Sequence, residues 1–237
     1  MKTLSRTALQ LAVLCIGLST ITFAADDAYL YIVHGIPGRD IAEDLNPGLP
    51  VDVQINGEVC YVRGLAFASN SGPLTLSAGD HEVKISWANS LAPCTNPSVA
   101  DTTVKLSAGS NTTVVIALNG SGAPSLVTFA DNLKALPSGE GRFVFAHAAD
   151  APAVQLTLTQ VGPEKNPKKR TFTVNPGQAI TAELPTGGYS LEVANGTSTL
   201  LLGTVIADNQ TVDLTYLVGE ASNNSLSLIT RLIRDVF

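Results

Sequence analysis

Two six-residue runs constrain this chain more than any other feature. Tyr29-Leu30-Tyr31-Ile32-Val33-His34 and Arg142-Phe143-Val144-Phe145-Ala146-His147 are each a β-type run ending in histidine. Each leads through a turn into a Val/Leu alternation, Val51-Asp52-Val53-Gln54-Ile55 in one case and Val154-Gln155-Leu156-Thr157-Leu158 in the other. A chain of 237 residues holding the same succession twice is a tandem pair of similar units.

The elements of both units are short and of β type. In the first, alternation sets Val51, Val53 and Ile55 inward and Asp52 and Gln54 outward. Asn56-Gly57 tolerates the positive φ of a type I′ turn and predicts a hairpin into 58–62. Gly72-Pro73 predicts a chain break, with strands resuming at 74–76 and 81–87. Further strands are expected at 103–106, 111–118 and 125–129. In the second unit, 184–189 matches 76–81, Leu191 and Val193 stand for Val83 and Ile85, and 210–218 corresponds to 111–119. Short strands at this spacing predict an all-β fold of two tandem immunoglobulin-like β-sandwiches, at 26–133 and 141–237, joined by a linker at 134–140.

Residues 1–24 read as a cleaved signal peptide. Lys2 and Arg6 precede a short apolar run, and Thr22-Phe23-Ala24 predicts cleavage after Ala24. The apolar run is shorter than the roughly 20 residues of a bilayer-spanning helix. The expected location is periplasmic or extracellular, with no transmembrane segment in the mature chain. Losing Lys2 and Arg6 leaves 12 basic against 20 acidic residues, a net charge of −8. Such a balance argues against nucleic acid as a partner, because that affinity comes mainly from Lys and Arg at phosphates. Cys60 and Cys94 survive cleavage, and in an exported chain an even pair is most simply a disulfide. Closing that loop is worth roughly 3–4 kcal/mol on the chain-entropy view.

Taken together, Val33-His34, Pro50-Val51-Asp52-Val53, Asn56-Gly57 and Leu76-Ser77-Ala78-Gly79 carry a family resemblance. Their counterparts are Ala146-His147-Ala148-Ala149-Asp150-Ala151-Pro152-Ala153-Val154 and Leu184-Pro185-Thr186-Gly187. The chain resembles the DUF4397 family of extracytoplasmic bacterial β-sandwich domains over nearly all of its mature length. It departs by the longer insert 35–50 in the first unit and by Gln155 where the pattern favours Asp. The resemblance implies fold and compartment and brings no activity with it.

No residue set carries a catalytic, cofactor-binding or metal-binding signature. There is no Gly-x-Ser-x-Gly, no Cys-x-x-Cys, no His-x-x-x-His and no calcium-type acidic run. His34 and His147 share strand faces with bulky apolar neighbours, which favours hydrogen-bonded structural histidines over ligands. His81, between Asp80 and Glu82, is expected on a solvated face. The insert 35–50 is the candidate interaction loop, with Arg39, Asp40, Glu43 and Asp44 as its charged contacts; a plain cover for the sandwich end is the competing role. The basic tip at Lys165, Lys168, Lys169 and Arg170 reads as a solvated hairpin. The expected function is a non-enzymatic binding or structural module of the envelope or extracellular space, recognising a protein or glycan. The competing class is a hydrolase, or an accessory domain, acting on an envelope polymer.

Overall fold

In the computed structural model, which describes residues 26–38, 49–162 and 168–234, every regular element is a strand. The first unit holds β1 (Asp27–His34), β2 (Val51–Ile55), β3 (Val59–Leu65), β4 (Ser69–Ser77), β5 (Gly79–Trp87), β6 (Ser98–Leu106), β7 (Asn111–Leu118) and β8 (Pro124–Asp131). The second holds β9 (Glu140–His147), β10 (Val154–Gln160), β11 (Lys169–Val174), β12 (Ala179–Pro185), β13 (Gly187–Asn195), β14 (Ser198–Ala207), β15 (Val212–Val218) and β16 (Ser227–Ile233).

Each unit is a sandwich of two four-stranded sheets. The orders are β4-β1-β7-β8 and β3-β2-β5-β6 in the first unit, and β12-β9-β15-β16 and β11-β10-β13-β14 in the second. The two orders are the same permutation, so the duplication seen in the sequence extends to topology. The architecture is immunoglobulin-like, two packed sheets with crossing connections, although the strand order is the fold's own. In both units the first and seventh strands pair in parallel, and all other pairs are antiparallel.

The cores follow from alternation. Leu30 and Ile32 of β1 meet Val53, Ile55, Val83 and Ile85 from the opposite sheet. Phe143 and Phe145 of β9 meet Leu156, Leu158, Leu191 and Val193. A third core lies between the units. Val33, Val115 and Phe129 from one sheet pack against Val144, Ala146, Leu214, Tyr216 and Val218 from the other. The faces of β1 and β9 left over by the first two cores are therefore buried against each other, which gives four stacked layers. The central strands β7 and β15 are buried on both faces, and each closes on an apolar run, 114–118 and 216–218.

Several expectations need correction. Gly72-Pro73 does not break the chain: it lies inside β4, an edge strand, where a residue without an N–H is tolerated. The parallel pairing joins Arg142 to Val212 as it joins Tyr29 to Asn111, so Val212, not Gln210, is the equivalent of Asn111. A slip of two residues preserves the facing pattern, which is why periodicity alone did not expose it. The strand expected at 103–106 begins earlier, at Ser98, and the one resuming after Gly72-Pro73 starts at Ser69.

Strand directions place the connections 35–50, 66–68, 88–97 and 119–123 at one end of the first sandwich. Connections 148–153, 175–178, 196–197 and 219–226 lie at the matching end of the second. Gly219 N–H donates to Gly35 O at 3.1 Å, so the two ends lie together.

Candidate functional site

The two units differ most at this shared end. The connection between the fifth and sixth strands is ten residues in the first unit, 88–97, and two in the second, 196–197. The connection between the first two strands is sixteen residues, 35–50, against six, 148–153. Both enlargements belong to the first unit, and they share a root: Ala88 N–H donates to Pro50 O at 2.9 Å.

Asp52 organises the shorter enlargement. It was expected to point outward into solvent, and it does leave the core face of β2, yet it is buried because 88–97 folds over it. Its Oδ2 accepts from Asn89 N–H at 3.1 Å and from Cys94 N–H at 2.9 Å, and its Oδ1 accepts from Gly64 N–H at 2.9 Å. Three backbone donors on one buried carboxylate satisfy it and fix three chain segments at once. The local geometry comes from a bulge. Val51 pairs with Leu65 and Val53 with Val62, leaving Arg63 and Gly64 opposite Asp52, with Gly64 at a φ of 62°.

The disulfide pins the same loop to β3. Cys60 and Cys94 are bonded with a Cα separation of 5.8 Å, and Cys94 adopts a φ of 61° that a side-chain-bearing residue rarely takes unless held. Asn89 folds the segment on itself, its Oδ1 accepting from both Leu91 and Ala92 N–H at 3.1 Å. The outcome is a clamped loop that carries Leu91 at 96% exposure. One oxygen of Asp52 and the two sulfurs lie within 4.8 Å of one another, a spacing that would suit metal ligands. The sulfurs are consumed in the disulfide, and the carboxylate is occupied by amide donors.

His34 and His147 are fully buried at the ends of β1 and β9. His34 Nε2–H donates to Leu49 O at 2.8 Å, and its Nδ1 accepts from Ile36 N–H at 3.3 Å, which defines a neutral ring protonated at Nε2. His147 Nε2–H donates to Pro152 O at 2.9 Å, while its Nδ1 has no hydrogen-bond partner. Burial holds both imidazoles below the usual histidine pKa, against the opposing pull of the carbonyl bonds. Each ring thus ties the end of the first strand to the start of the second. His81 is not on a solvated face: it is buried, donates through Nε2 to Ser77 O at 2.8 Å and accepts at Nδ1 from Asn56 Nδ2 at 3.1 Å. Tyr189 makes the equivalent bond in the second unit, its hydroxyl donating to Pro185 O at 2.9 Å.

Arg39, Asp40, Glu43 and Asp44 lie outside the described residues, as do Lys165 and residues 1–24, where a signal peptide was expected. Among the described residues, no helix is long and apolar enough to cross a membrane.

Comparison with curated proteins finds no match. Among solved structures, a candidate cell adhesion protein of Bacteroides ovatus aligns over 87% of this chain and 97% of its own, at 9% identity and a TM-score of 0.29. A candidate cell adhesion protein of Bacteroides fragilis aligns over 89% and 98%, at 9% identity and a TM-score of 0.27. The Bacillus anthracis TIE protein aligns over 82% of this chain and 33% of its own, at 11% identity and a TM-score of 0.24. A family profile described as a domain of unknown function (DUF4397) matches residues 28–157, from the second residue of β1 into β10 and across more than half the chain. The chain belongs to the DUF4397 family.

Proposed function

We propose that the protein is an exported, non-catalytic binding module of the bacterial envelope or extracellular space. It engages a protein or glycan through the loops at one end of its first sandwich. The observation that carries this reading is the pair of enlargements, 35–50 and 88–97, present in one unit, reduced in the other, and rooted together at Pro50 and Ala88. A duplicated scaffold needs neither for its sheets, since the second unit closes the same topology without them. Loops that exceed what the fold requires are where such scaffolds place recognition.

The Asp52 clamp and the disulfide support the same reading. They hold 88–97 in one conformation, which lowers the ordering cost of binding, and leave Leu91 outward as an apolar anchor. Arg39, Asp40, Glu43 and Asp44 of the neighbouring insert would supply charged contacts around it. His34 and His147 are structural in this account, fixing the turns that leave β1 and β9. The disulfide fits the oxidising compartment to which the leader would direct the chain.

The test is crosslinking and capture of the exported protein from its own host's envelope and medium, compared with a 35–50 deletion and with Leu91→Asp. A specific protein or glycan lost in both variants is expected. Equal recovery by all three would refute recognition at this end.

A further inference from the structure

We propose that β14 is a self-association edge, to which a second copy of this chain adds its own β14 in antiparallel register, joining two sheets into one eight-stranded sheet. The inference is separate from the loop-end recognition above and does not depend on it.

The four sheets leave eight edge strands among the described residues: β3, β4, β6, β8, β11, β12, β14 and β16. Exposed edges invite unwanted pairing and are ordinarily blunted by charge or proline. Seven of these edges carry such a device. Arg63 lies in β3, Pro73 in β4, Asp101 and Lys105 in β6, and Pro124 and Asp131 in β8. Lys169 and Arg170 lie in β11, Glu183 and Pro185 in β12, and Arg231, an inward-turned charge held on Asp131, in β16. β14, Ser198-Thr199-Leu200-Leu201-Leu202-Gly203-Thr204-Val205-Ile206-Ala207, has none, and at ten residues it is the longest strand described. It also carries the two most exposed large apolar side chains of any strand described, Leu202 at 75% and Ile206 at 69% exposure.

Self-complementarity selects a second copy as the occupant. A two-fold axis through Thr204 sets Leu202 of each copy opposite Ile206 of the other on the solvent face, with Thr204 facing Thr204. Cross-strand apolar pairs of this kind stabilise a sheet, and no like charges oppose each other along 198–207. A closed two-fold also pairs the β14 edges of both copies with each other and leaves at the ends of the joined sheet only β11, which Lys169 and Arg170 blunt. The chain as a whole is acidic, with a net charge of −6, so an uncharged strand is where two copies approach with least repulsion.

The test is sedimentation of the exported protein, together with two single-cysteine variants and Ile206→Lys. Thr204→Cys places the introduced thiols across the axis, where paired Cα atoms about 4.5–5.5 Å apart fall within disulfide range. Thr199→Cys places them far from each other in the same register. The proposal expects a dimer that crosslinks through Thr204→Cys and not through Thr199→Cys. It also expects Ile206→Lys, exposed and so harmless to the monomer fold, to raise the dimer dissociation constant at least about tenfold. A monomer at about 100 µM, or a dimer indifferent to Ile206→Lys and uncrosslinked by Thr204→Cys, would overturn it.

Discussion

Tyr216 of β15 donates its hydroxyl to Thr113 Oγ1 of β7 at 2.8 Å, joining the central strands of the two sandwiches across 103 residues of chain. Thr113 Oγ1 in turn donates to Asp131 Oδ2 at 2.8 Å, and Arg231 Nη2 donates to the same oxygen at 2.5 Å. The Arg231 guanidinium also lies 3.4 Å from the centroid of the Tyr31 ring. This network sits within the third core, and burial, then the Asp131 carboxylate, push the Tyr216 phenol up, so it stays a donor. Asp131 and Arg231 are almost buried, so removing one partner strands the other. Arg231→Met is expected to cost about 3 kcal/mol, and Tyr216→Phe about 1 kcal/mol. Denaturant titration checks both, and Arg231→Met should separate one unfolding transition into two.

Gly35 offers a steric test of the same interface. A Cβ there would lie 2.8 Å from Val218 Cβ and 2.9 Å from Ile116 O. Gly35→Ala must therefore displace both the second sandwich, at Val218, and β7 of its own sandwich, at Ile116, at an expected cost of about 1–3 kcal/mol. Gly57, whose added Cβ would meet nothing, serves as the position where crowding is absent and only its φ of 70° matters. Thermal unfolding of the two alanine variants, with a crosslink between the units as a second readout, distinguishes displacement of the units from local strain.

Asp52→Asn tests the loop clamp. The asparagine amide replaces one acceptor oxygen with a donor that faces backbone N–H groups. The expected cost is about 1–3 kcal/mol. Hydrogen exchange should show faster exchange at the Asn89 and Cys94 amides, with β7 and β15 unchanged. Reduction of Cys60–Cys94 should loosen the same segment independently.

Buried carboxyl and imidazole groups set opposing pH dependences. Asp213 sits inside the second sandwich, and burial pushes its pKa from 3.8 up to about 6 against the Thr215 hydrogen bond. The folded state holds that proton more tightly than the unfolded one. Its contribution is therefore greatest below pH 3.8 and is lost as pH rises through about 6. Asp213→Asn should stabilise the protein at neutral pH by up to about 3 kcal/mol and have far less effect in acid. His34 and His147 are lowered by burial, so their contribution is present above 6.5 and lost as pH falls below it. Changing both to Gln should flatten the acid limb. Denaturant unfolding across the range, with each variant alone and then combined, separates the two.

Much of the fold was legible because it is written in local chemistry. The His-ending runs, the Val51–Ile55 alternation and Asn56-Gly57 each dictate a strand or turn without reference to anything distant. The third core was not legible that way. Tyr31, Val33, Val144 and Ala146 alternate as any outer face does, and only the apolar runs 114–118 and 216–218 hinted that those faces were covered. Asp52 was missed for a related reason. Period-two alternation reports which face a residue leaves from, and says nothing of a loop that closes over it 37 positions later. Gln155 at the matching position makes sense in that light, since the second unit has a two-residue turn and no loop to clamp.

The most direct test of the proposed recognition is a photo-activated crosslinker placed at position 91 of the protein and irradiated in intact cells of its host. A matched crosslinker at the exposed Glu58, at the opposite end of the same sandwich, serves as the control. The account predicts a discrete adduct from position 91 that is lost in the Asp52→Asn background and absent from position 58. Adducts of equal yield from both positions, or none from position 91 with the protein correctly exported, would contradict it.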